Sequence, residues 1–294
     1  MSYAARCLAA IGFCAAALAS TSAGALSLPS HKDRLFAYPK VLTADSDGAY
    51  RVIDYQELRD INGRDAVPVR RAKSRYVSLG VRKARKDLVL KEGALTVPHV
   101  ATGKTKDASV ITIYLHGQGG DRKQGVNDYS FGGNFNRIGN LMVKAGGLYL
   151  TPDFTDFDKT GVAEIKALIA HYGKASSGAP VFVACGSAGG ALCWQLARDS
   201  EAALQVSGLL LLGSYADERF LSSMAFKRRI PVFFGHGSRD RVFSVDGQEA
   251  FFRKIQKRAP GYPAQFVRFE TGTHGTPIRM TDWRETLNWM LQNR

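Results

Sequence analysis

The chain has 294 residues, of which 45% are hydrophobic and 22% are charged, and its formal net charge is +14. These proportions are ordinary for a globular protein with one large core or two smaller ones. The positive charge is concentrated at 70–75 and 82–86, which is consistent either with an anionic membrane surface as a partner or with a solvated basic face. The basic segments lack interleaved aromatic residues, so we expect no nucleic-acid partner.

The first 25 residues have the pattern of a secretory signal peptide. Arg6 is their only charged residue, residues 7–19 are apolar, and Ala23-Gly24-Ala25 is a small-x-small site for cleavage after residue 25. The apolar segment of 13 residues is short for a membrane span, so we expect a cleaved signal rather than an uncleaved anchor. We therefore expect an exported protein, periplasmic or secreted, with a net charge of +13.

Residues 26–107 form a polar, basic lead-in, in which short strands are expected at 76–79 and 88–90. In residues 108–294, apolar strands alternate with helices. The strands are predicted at 110–115, 147–150, 181–184, 209–212, 232–234 and 265–269, and the helices at 135–143, 161–172, 191–197 and 281–291. Strands that are apolar throughout are typical of a parallel sheet covered on both faces. We therefore predict an α/β domain over 108–294, with a mostly parallel central sheet and helices on both faces. About 19 residues separate the strands at 209–212 and 232–234, too few for a large cap domain.

Polar residues follow four of these strands, at the edge where functional groups gather in such sheets. The loops have the sequences HGQGGD at 116–121, CGSAGG at 185–190, GHGSRD at 235–240 and ETGTHG at 270–275. The turn at 185–190 leads sharply from strand to helix, and its glycines prevent collisions with Ser187 at the apex. A glycine-rich amide cradle, a serine, an aspartate and a histidine are thus expected at one edge.

Over about residues 105–294, the order of serine, aspartate and histidine after successive strands resembles the α/β-hydrolase family. By length and layout, the chain is similar to the small carboxylesterases and lysophospholipases. The resemblance implies that Ser187 is a nucleophile, that His274 takes its proton and that Asp240 orients the histidine. The backbone N–H groups of Gln118 and Ala188 would form the oxyanion hole. The usual G-x-S-x-G motif is altered at position 185, where cysteine replaces the first glycine.

Several of these residues have alternative interpretations. Ser187 could simply cap the helix that follows it, and Asp217 lies in a loop after 209–212, where it is a rival to Asp240 as the acid. We prefer Asp240 because its turn follows the next strand, the usual position of the acid in this fold. His116 and His236 are expected to be structural residues that pack under the loops.

Cleavage of the signal would remove two of the four cysteines and leave Cys185 and Cys193. An exported protein can form disulfides, but one cysteine ends a strand and the other lies within the following helix, so we expect two buried free thiols. No cluster of cysteine and histidine predicts a metal site, and no cofactor is expected. The sequence at 102–105 is similar to the end of a phosphate-binding loop, but Pro98 stands where that motif needs its first glycine.

The chemistry expected from these residues is cleavage of a carboxylic ester through an acyl-enzyme. The loop at 119–136 and the lead-in would cover the pocket, with Arg122, Lys123, Tyr129 and Phe131 as substrate-binding candidates. An anionic acyl ester, such as one derived from a lipid, would suit the basic charge. The alternatives are a thioesterase or peptidase on the same fold and a non-catalytic exported binding protein.

Overall fold

A computed structural model describes residues 26–294, so the predicted signal peptide lies outside the described residues. The strands, in chain order, are β1 (Val41–Ala44), β2 (Tyr50–Ile53), β3 (Asp65–Ala66), β4 (Arg71–Ala72), β5 (Arg85–Glu92), β6 (Leu95–Gly103), β7 (Ile111–Leu115), β8 (Leu148–Pro152), β9 (Val181–Gly186), β10 (Val206–Leu212), β11 (Val232–Gly237) and β12 (Ala264–Phe269). The helices are α1 (Asp33–Phe36), α2 (Glu57–Arg64), α3 (Asn134–Lys144), α4 (Lys159–Ala175), α5 (Gly190–Arg198), α6 (Ser200–Gln205), α7 (Met224–Lys227), α8 (Val245–Arg258), α9 (Thr276–Met280) and α10 (Trp283–Asn293).

Ten of the strands form one sheet in the order β1-β2-β12-β11-β10-β9-β7-β8-β6-β5. The strands from β2 to β8 in this order are parallel to one another, whereas β1, β5 and β6 pair antiparallel at the two edges. The predicted mostly parallel sheet is therefore confirmed. The remaining strands, β3 and β4, form a separate two-stranded hairpin.

Both faces of the sheet are covered by helices, because its central strands are apolar on both sides. In β7, Ile111, Ile113 and Leu115 join the core cluster beneath α4, α5 and α8. Tyr114 points to the opposite cluster, which lies beneath α3 and α10. This two-sided burial is what the continuous apolar runs predict.

The lead-in belongs to the same sheet, since it supplies β1 and β2 at one edge and β5 and β6 at the other. The strand expected at 76–79 is wrong. This segment is built from 3-10 turns at Ser74–Tyr76 and Leu79–Ala84, in which Tyr76 and Val81 are buried. Apolar residues at this spacing can be buried by a turn as well as by a strand, so their alternation did not distinguish the two structures.

The connection from β10 to β11 contains a 3-10 turn at Glu218–Ser222 and the short helix α7, so no large cap covers the sheet there. None of the helices in residues 26–294 combines the length and hydrophobicity that a membrane crossing requires.

The register of the parallel strands aligns their carboxyl ends. Leu115 pairs with Cys185, Leu212 pairs with Gly186, and Gly237 pairs with Phe269. The loops that follow β7, β9, β11 and β12 therefore leave the sheet at one edge, where the polar residues were expected.

Candidate active site

The turn from β9 to α5 holds Ser187 in a left-handed conformation, with φ of 52°. A side chain with a Cβ atom is strained at this φ, so the conformation persists only because its surroundings impose it. The neighbours must be small: a Cβ added to Gly189 would lie 2.7 Å from the His116 carbonyl oxygen, and one added to Gly117 would lie 2.8 Å from the Ser187 Cβ. The turn thus presents a partly exposed hydroxyl beyond the end of the sheet.

Ser187, His274 and Asp240 form one hydrogen-bonded chain across three loops. The His274 Nε2 atom lies 2.8 Å from the Ser187 Oγ atom, and its Nδ1 atom lies 2.8 Å from an Asp240 carboxylate oxygen. The imidazole is 30% exposed, whereas the Asp240 side chain is fully buried. An imidazole in this arrangement can accept the serine proton and return it, while the carboxylate fixes its tautomer.

The surroundings of Asp240 favour its charged form. Burial by itself would raise the pKa of this carboxyl group, but hydrogen bonds from two histidines and two backbone N–H groups outweigh it and hold the pKa well below its usual value. The backbone donors are Val242 at 2.8 Å and Phe243 at 3.1 Å. The group facing His274 is therefore a carboxylate at neutral pH.

His236 contacts the same carboxylate, a contact that sequence reasoning missed. Its Nε2 atom lies 3.3 Å from Asp240 Oδ2 and 2.9 Å from the Phe243 carbonyl oxygen, and the side chain is fully buried. We assigned His236 a packing role only, so the structure adds a hydrogen-bond donor behind the acid. The sequence feature that could have predicted this contact is the spacing of four residues between His236 and Asp240 around the end of β11.

His116 was also expected to be a packing residue. It stacks on Phe154 with 4.2 Å between ring centroids, as a packing residue would.

Asp217, the alternative candidate for the acid, takes part in other contacts. The Asp217 carboxylate pairs with Arg198 and with Arg219, whose Nη2 atom is 2.8 Å away. It also accepts the backbone N–H of Arg219 at 3.0 Å and thereby caps the 3-10 turn that follows. Asp217 therefore has a structural explanation, and His274 pairs with Asp240 instead.

Two backbone N–H groups near Ser187 are free to bind an anion. Within residues 26–294, the N–H of Gln118 donates to no protein oxygen. Ala188 is the second residue of the 3-10 turn Ser187–Gly189, where an N–H group lacks a partner inside the helix. Gly117, which precedes Gln118, approaches Ser187 closely and so brings the two loops together. The loops that carry Gln118 and Ala188 therefore meet at Ser187.

The expectation of two free thiols is wrong, because Cys185 and Cys193 form a disulfide. The prediction treated the strand and the helix as too divergent, whereas the sharp turn folds α5 back along β9 and brings the two Cα atoms to 6.3 Å. That separation lies within the normal range for a disulfide. The bond closes a loop around Ser187, and both cysteines are fully buried.

The four substrate-binding candidates lie in different settings. Arg122 is held between Asp153 at 2.5 Å and Asp87 at 3.0 Å, so two carboxylates compensate its charge. Tyr129 lies under the Arg71 guanidinium, 3.4 Å from it, and Lys123 is exposed to solvent. Phe131 is the candidate beside the triad, since a Cβ added to Gly275 would lie 3.5 Å from its ring.

A cleft of about 600 Å³ lies against His274. It is bounded on one side by the acid and histidine loops and on the other by the start of α2, and none of the four candidates lines it. The lining residues are Gln56, Glu57, Leu58, Arg239, Arg241, Val242, Thr271, Thr273 and His274. Sequence reasoning missed this cleft, although Arg239 and Arg241 directly flank the predicted acid.

No protein-family model matches the chain, and no curated protein is similar to it in sequence. The fold, in contrast, is similar to many solved structures. A thermostable esterase matches with a TM-score of 0.57 and 15% identity over 72% of this chain, and the match spans 64% of that esterase. A protein of unknown function from Agrobacterium tumefaciens, described as an alpha/beta hydrolase, matches with a TM-score of 0.54 and 15% identity over 70% of this chain and 95% of its own. An alpha/beta serine hydrolase homologue from Coxiella burnetii has a TM-score of 0.50 and 17% identity over 71% of this chain and 96% of its own.

At this level of identity the comparisons show the fold alone. The chain has the α/β-hydrolase fold that its sequence resembles, and this prediction is confirmed. The activity must be argued from the site itself.

Proposed function

We propose that the protein is an exported serine hydrolase that cleaves carboxylic esters through an acyl-enzyme intermediate. The observation that carries the proposal is the hydrogen-bonded chain from Ser187 through His274 to Asp240, with 2.8 Å at each step. Two features strengthen it: the strained backbone of Ser187, and the free N–H groups at Gln118 and Ala188. A strained serine that served only as a helix cap would need none of these partners.

In the first step, the Ser187 Oγ atom attacks the ester carbonyl carbon while its proton passes to His274 Nε2. The carbonyl oxygen becomes negative and is stabilised by the N–H groups of Gln118 and Ala188. The bond from carbon to the alcohol oxygen then breaks, and that oxygen takes the proton from His274. Asp240 stabilises the imidazolium that exists between the two transfers.

In the second half of the reaction, water replaces the alcohol. His274 Nε2 accepts a proton from the water as its oxygen attacks the acyl carbon, and the proton then passes to the Ser187 oxygen as the acyl bond breaks. The products are a carboxylic acid and an alcohol, and the enzyme returns to its starting state.

The proposal of export rests on the sequence of residues 1–25, outside the described part of the chain. The disulfide between Cys185 and Cys193 supports it, because disulfides persist in oxidising compartments and are rare in the cytosol. Expression of the full-length chain in a bacterium tests export: we expect the mature protein in the periplasm or medium, with an N-terminus near Leu26 by mass spectrometry. A cytoplasmic protein that retains residues 1–25 would contradict it.

The test of the catalytic proposal is labelling with a fluorophosphonate probe, which reacts with an activated serine. We expect an adduct on the wild-type protein and none on Ser187→Ala or His274→Ala. Ser130→Ala, which removes a serine from the loop beside Phe131, is the matched control and should label as the wild type does. Turnover of p-nitrophenyl acetate should fall by about 10⁴- to 10⁶-fold in Ser187→Ala. A folded wild-type protein that forms no adduct would contradict the serine mechanism and favour a binding role for the fold.

A further inference from the structure

The cleft beside His274 exposes two arginines that have no carboxylate partner. Arg239 and Arg241 line the cleft, and within residues 26–294 neither forms an ion pair or a side-chain hydrogen bond. This sets them apart from arginines such as Arg122 and Arg219, which are held by aspartates. A guanidinium is always charged and presents five donors, so two of them without partners form a ready site for an anion.

The backbone on which these arginines stand is fixed. The N–H of Arg239 donates to the Gly272 carbonyl oxygen at 2.8 Å, and the N–H of Thr271 donates to the Ser238 hydroxyl at 2.8 Å. Asp240, which lies between the two arginines, anchors the next residues through its own carboxylate. The backbone therefore places one arginine on either side of the acid.

One carboxylate also lines the cleft. Glu57 lies 3.6 Å from the Arg70 guanidinium, which offsets its charge. The cleft thus keeps a net positive charge. Its wall also includes Leu58, which is 79% exposed, and Val242, which is 59% exposed. The exposed surface therefore suits a group that combines an apolar body with an anionic end.

The position of the cleft determines which part of an ester would occupy it. His274 Nε2 delivers the proton to the alcohol oxygen, so the alcohol portion of the substrate leaves on the side of this imidazole. The cleft lies against His274, and Ser187 is absent from its lining.

We infer that the substrates are esters whose alcohol portion carries an anionic group, a carboxylate, phosphate or sulfate, which Arg239 and Arg241 bind. The inference rests on the proposed function and specifies its substrate class. It also moves the recognition of charge from Arg122 and Lys123 to the loop of the catalytic acid, and from the acyl to the alcohol side.

The test compares two esters of matched shape, 4-acetoxybenzoate, which is anionic, and methyl 4-acetoxybenzoate, which is neutral. The measured quantity is the kcat/KM of the anionic ester divided by the kcat/KM of the neutral ester. In the double variant Arg239→Gln/Arg241→Gln, this ratio should fall by about 10- to 100-fold, as expected for the loss of charge-assisted hydrogen bonds. The wild-type ratio should also fall as salt is added, because exposed charges are screened.

Lys257→Gln/Arg258→Gln is the matched control. Lys257 and Arg258 end α8 on the exposed surface, next to the connection that leads to the start of β12 and therefore at the opposite edge of the sheet. This control also removes two positive charges from the protein, without touching the cleft, so its ratio should equal that of the wild type. An equal fall in both variants would show a general charge effect and overturn the inference.

Two further outcomes separate this inference from the proposed function. If Ser187 reacts with the fluorophosphonate and the neutral ester is cleaved, but the double variant changes neither the ratio for the two esters nor the preference for phosphatidylglycerol over phosphatidylcholine vesicles, the inference fails and the hydrolase stands. If the wild-type protein neither labels nor cleaves either ester, the proposed function fails.

The anion could belong to a soluble ester or to a lipid headgroup, and the two sources give different results. A ratio that responds to the double variant with the two monomeric esters assigns the site to soluble anions. A response seen only as faster release of fatty acid from phosphatidylglycerol than from phosphatidylcholine vesicles, and lost in the double variant, assigns it to a lipid headgroup. Absence of both responses overturns the inference.

Discussion

The turn that carries Ser187 and the lead-in that flanks the sheet are held in place by different means. At the turn, backbones approach closely, the φ of Ser187 is strained, and a disulfide joins the strand to the helix. The lead-in pairs with the central sheet through β2 and β6, and ion pairs attach its segments outside that sheet. Arg279 donates to the fully buried Asp65 at 2.7 Å, and the fully buried Arg137 contacts Asp33 at 3.2 Å.

This difference matches the tasks of the two regions. Catalysis requires the serine and histidine to stay in a fixed geometry, which close backbone contacts supply. Ion pairs adjust more easily and respond to pH and salt. We therefore expect changes at the turn and the triad to abolish activity, and changes in the lead-in to alter stability and its pH dependence.

The largest expected effect is that of Asp240→Asn. The amide removes the charge that stabilises the His274 imidazolium and can hold the imidazole in the wrong tautomer, so kcat should fall by about 10⁴-fold. Asp217→Asn is the matched control at the rival carboxylate and should retain kcat within a few-fold, as measured with p-nitrophenyl acetate. The reverse result would assign the acid to Asp217 and break the description of the site.

The second effect concerns two glycines, one in each region. A Cβ at Gly189 would lie 2.7 Å from the His116 and 2.8 Å from the Leu115 carbonyl oxygen, so Gly189→Ala must displace β7 or the turn. We expect a loss of about 3 kcal/mol in the free energy of unfolding, together with most of the activity. Gly63, in the lead-in helix α2, has no atom within 4 Å of an added Cβ, and Gly63→Ala should stabilise by about 0.5–1 kcal/mol. Urea unfolding measures both, and similar values for the two variants would contradict the division.

How much of this could be predicted from the sequence differs between the same two regions. The apolar strands and their polar ends could be predicted because a parallel sheet buried on both faces imposes a strong local pattern. Ser187, Asp240 and His274 could be singled out because they follow these strands in the order typical of the α/β-hydrolase family. In the lead-in, the same reasoning placed a strand at 76–79, where 3-10 turns lie, and one at 88–90, which falls within β5, but it did not predict β1, β2 or β6. Edge strands that are half exposed carry weaker patterns, and their partners are remote in sequence.

Within the site, the features that the sequence did not reveal depend on the path of the chain in three dimensions. The disulfide requires knowledge that α5 folds back along β9, and the contact of His236 with Asp240 requires the curvature of the turn after β11. The cleft forms between α2 and the two loops at 239–242 and 271–274, which are far apart in sequence. Such contacts between remote segments leave little trace in local composition.

The third prediction concerns the disulfide. In Cys185→Ala/Cys193→Ala, the unfolded chain regains the freedom of a short loop, so the free energy of unfolding should fall by about 2–3 kcal/mol. Full reduction of the wild-type protein should produce a similar loss, and reductant should leave the double variant unchanged. If the variant is as stable as the oxidised wild type, the disulfide does not constrain the turn, and close packing alone holds Ser187.

The smallest effect is expected in the lead-in, at His31. Burial lowers its pKa to about 4, with help from the positive charges of Lys144, Lys32 and Arg137, while Asp33 opposes the shift. The folded protein therefore keeps this imidazole neutral, whereas in the unfolded chain it takes up a proton near pH 6.5. The associated stability is fully present above pH 6.5 and is lost as the pH falls toward 4.

Replacement of His31 by glutamine should flatten this dependence. Between pH 7.5 and pH 4.5, the wild-type protein should lose about 1–2 kcal/mol more unfolding free energy than His31→Gln does. His171→Gln, on the exposed surface of α4, is the matched control and should follow the wild type. Ester turnover at pH 7.5 should be the same in all three proteins, because His31 contacts α3 and the lead-in rather than the site. An equal pH dependence of the unfolding free energy in His31→Gln and wild type would show that ion pairs alone set the pH response of the lead-in.

A loss of turnover in His31→Gln would show instead that the lead-in and the turn that carries Ser187 are energetically coupled.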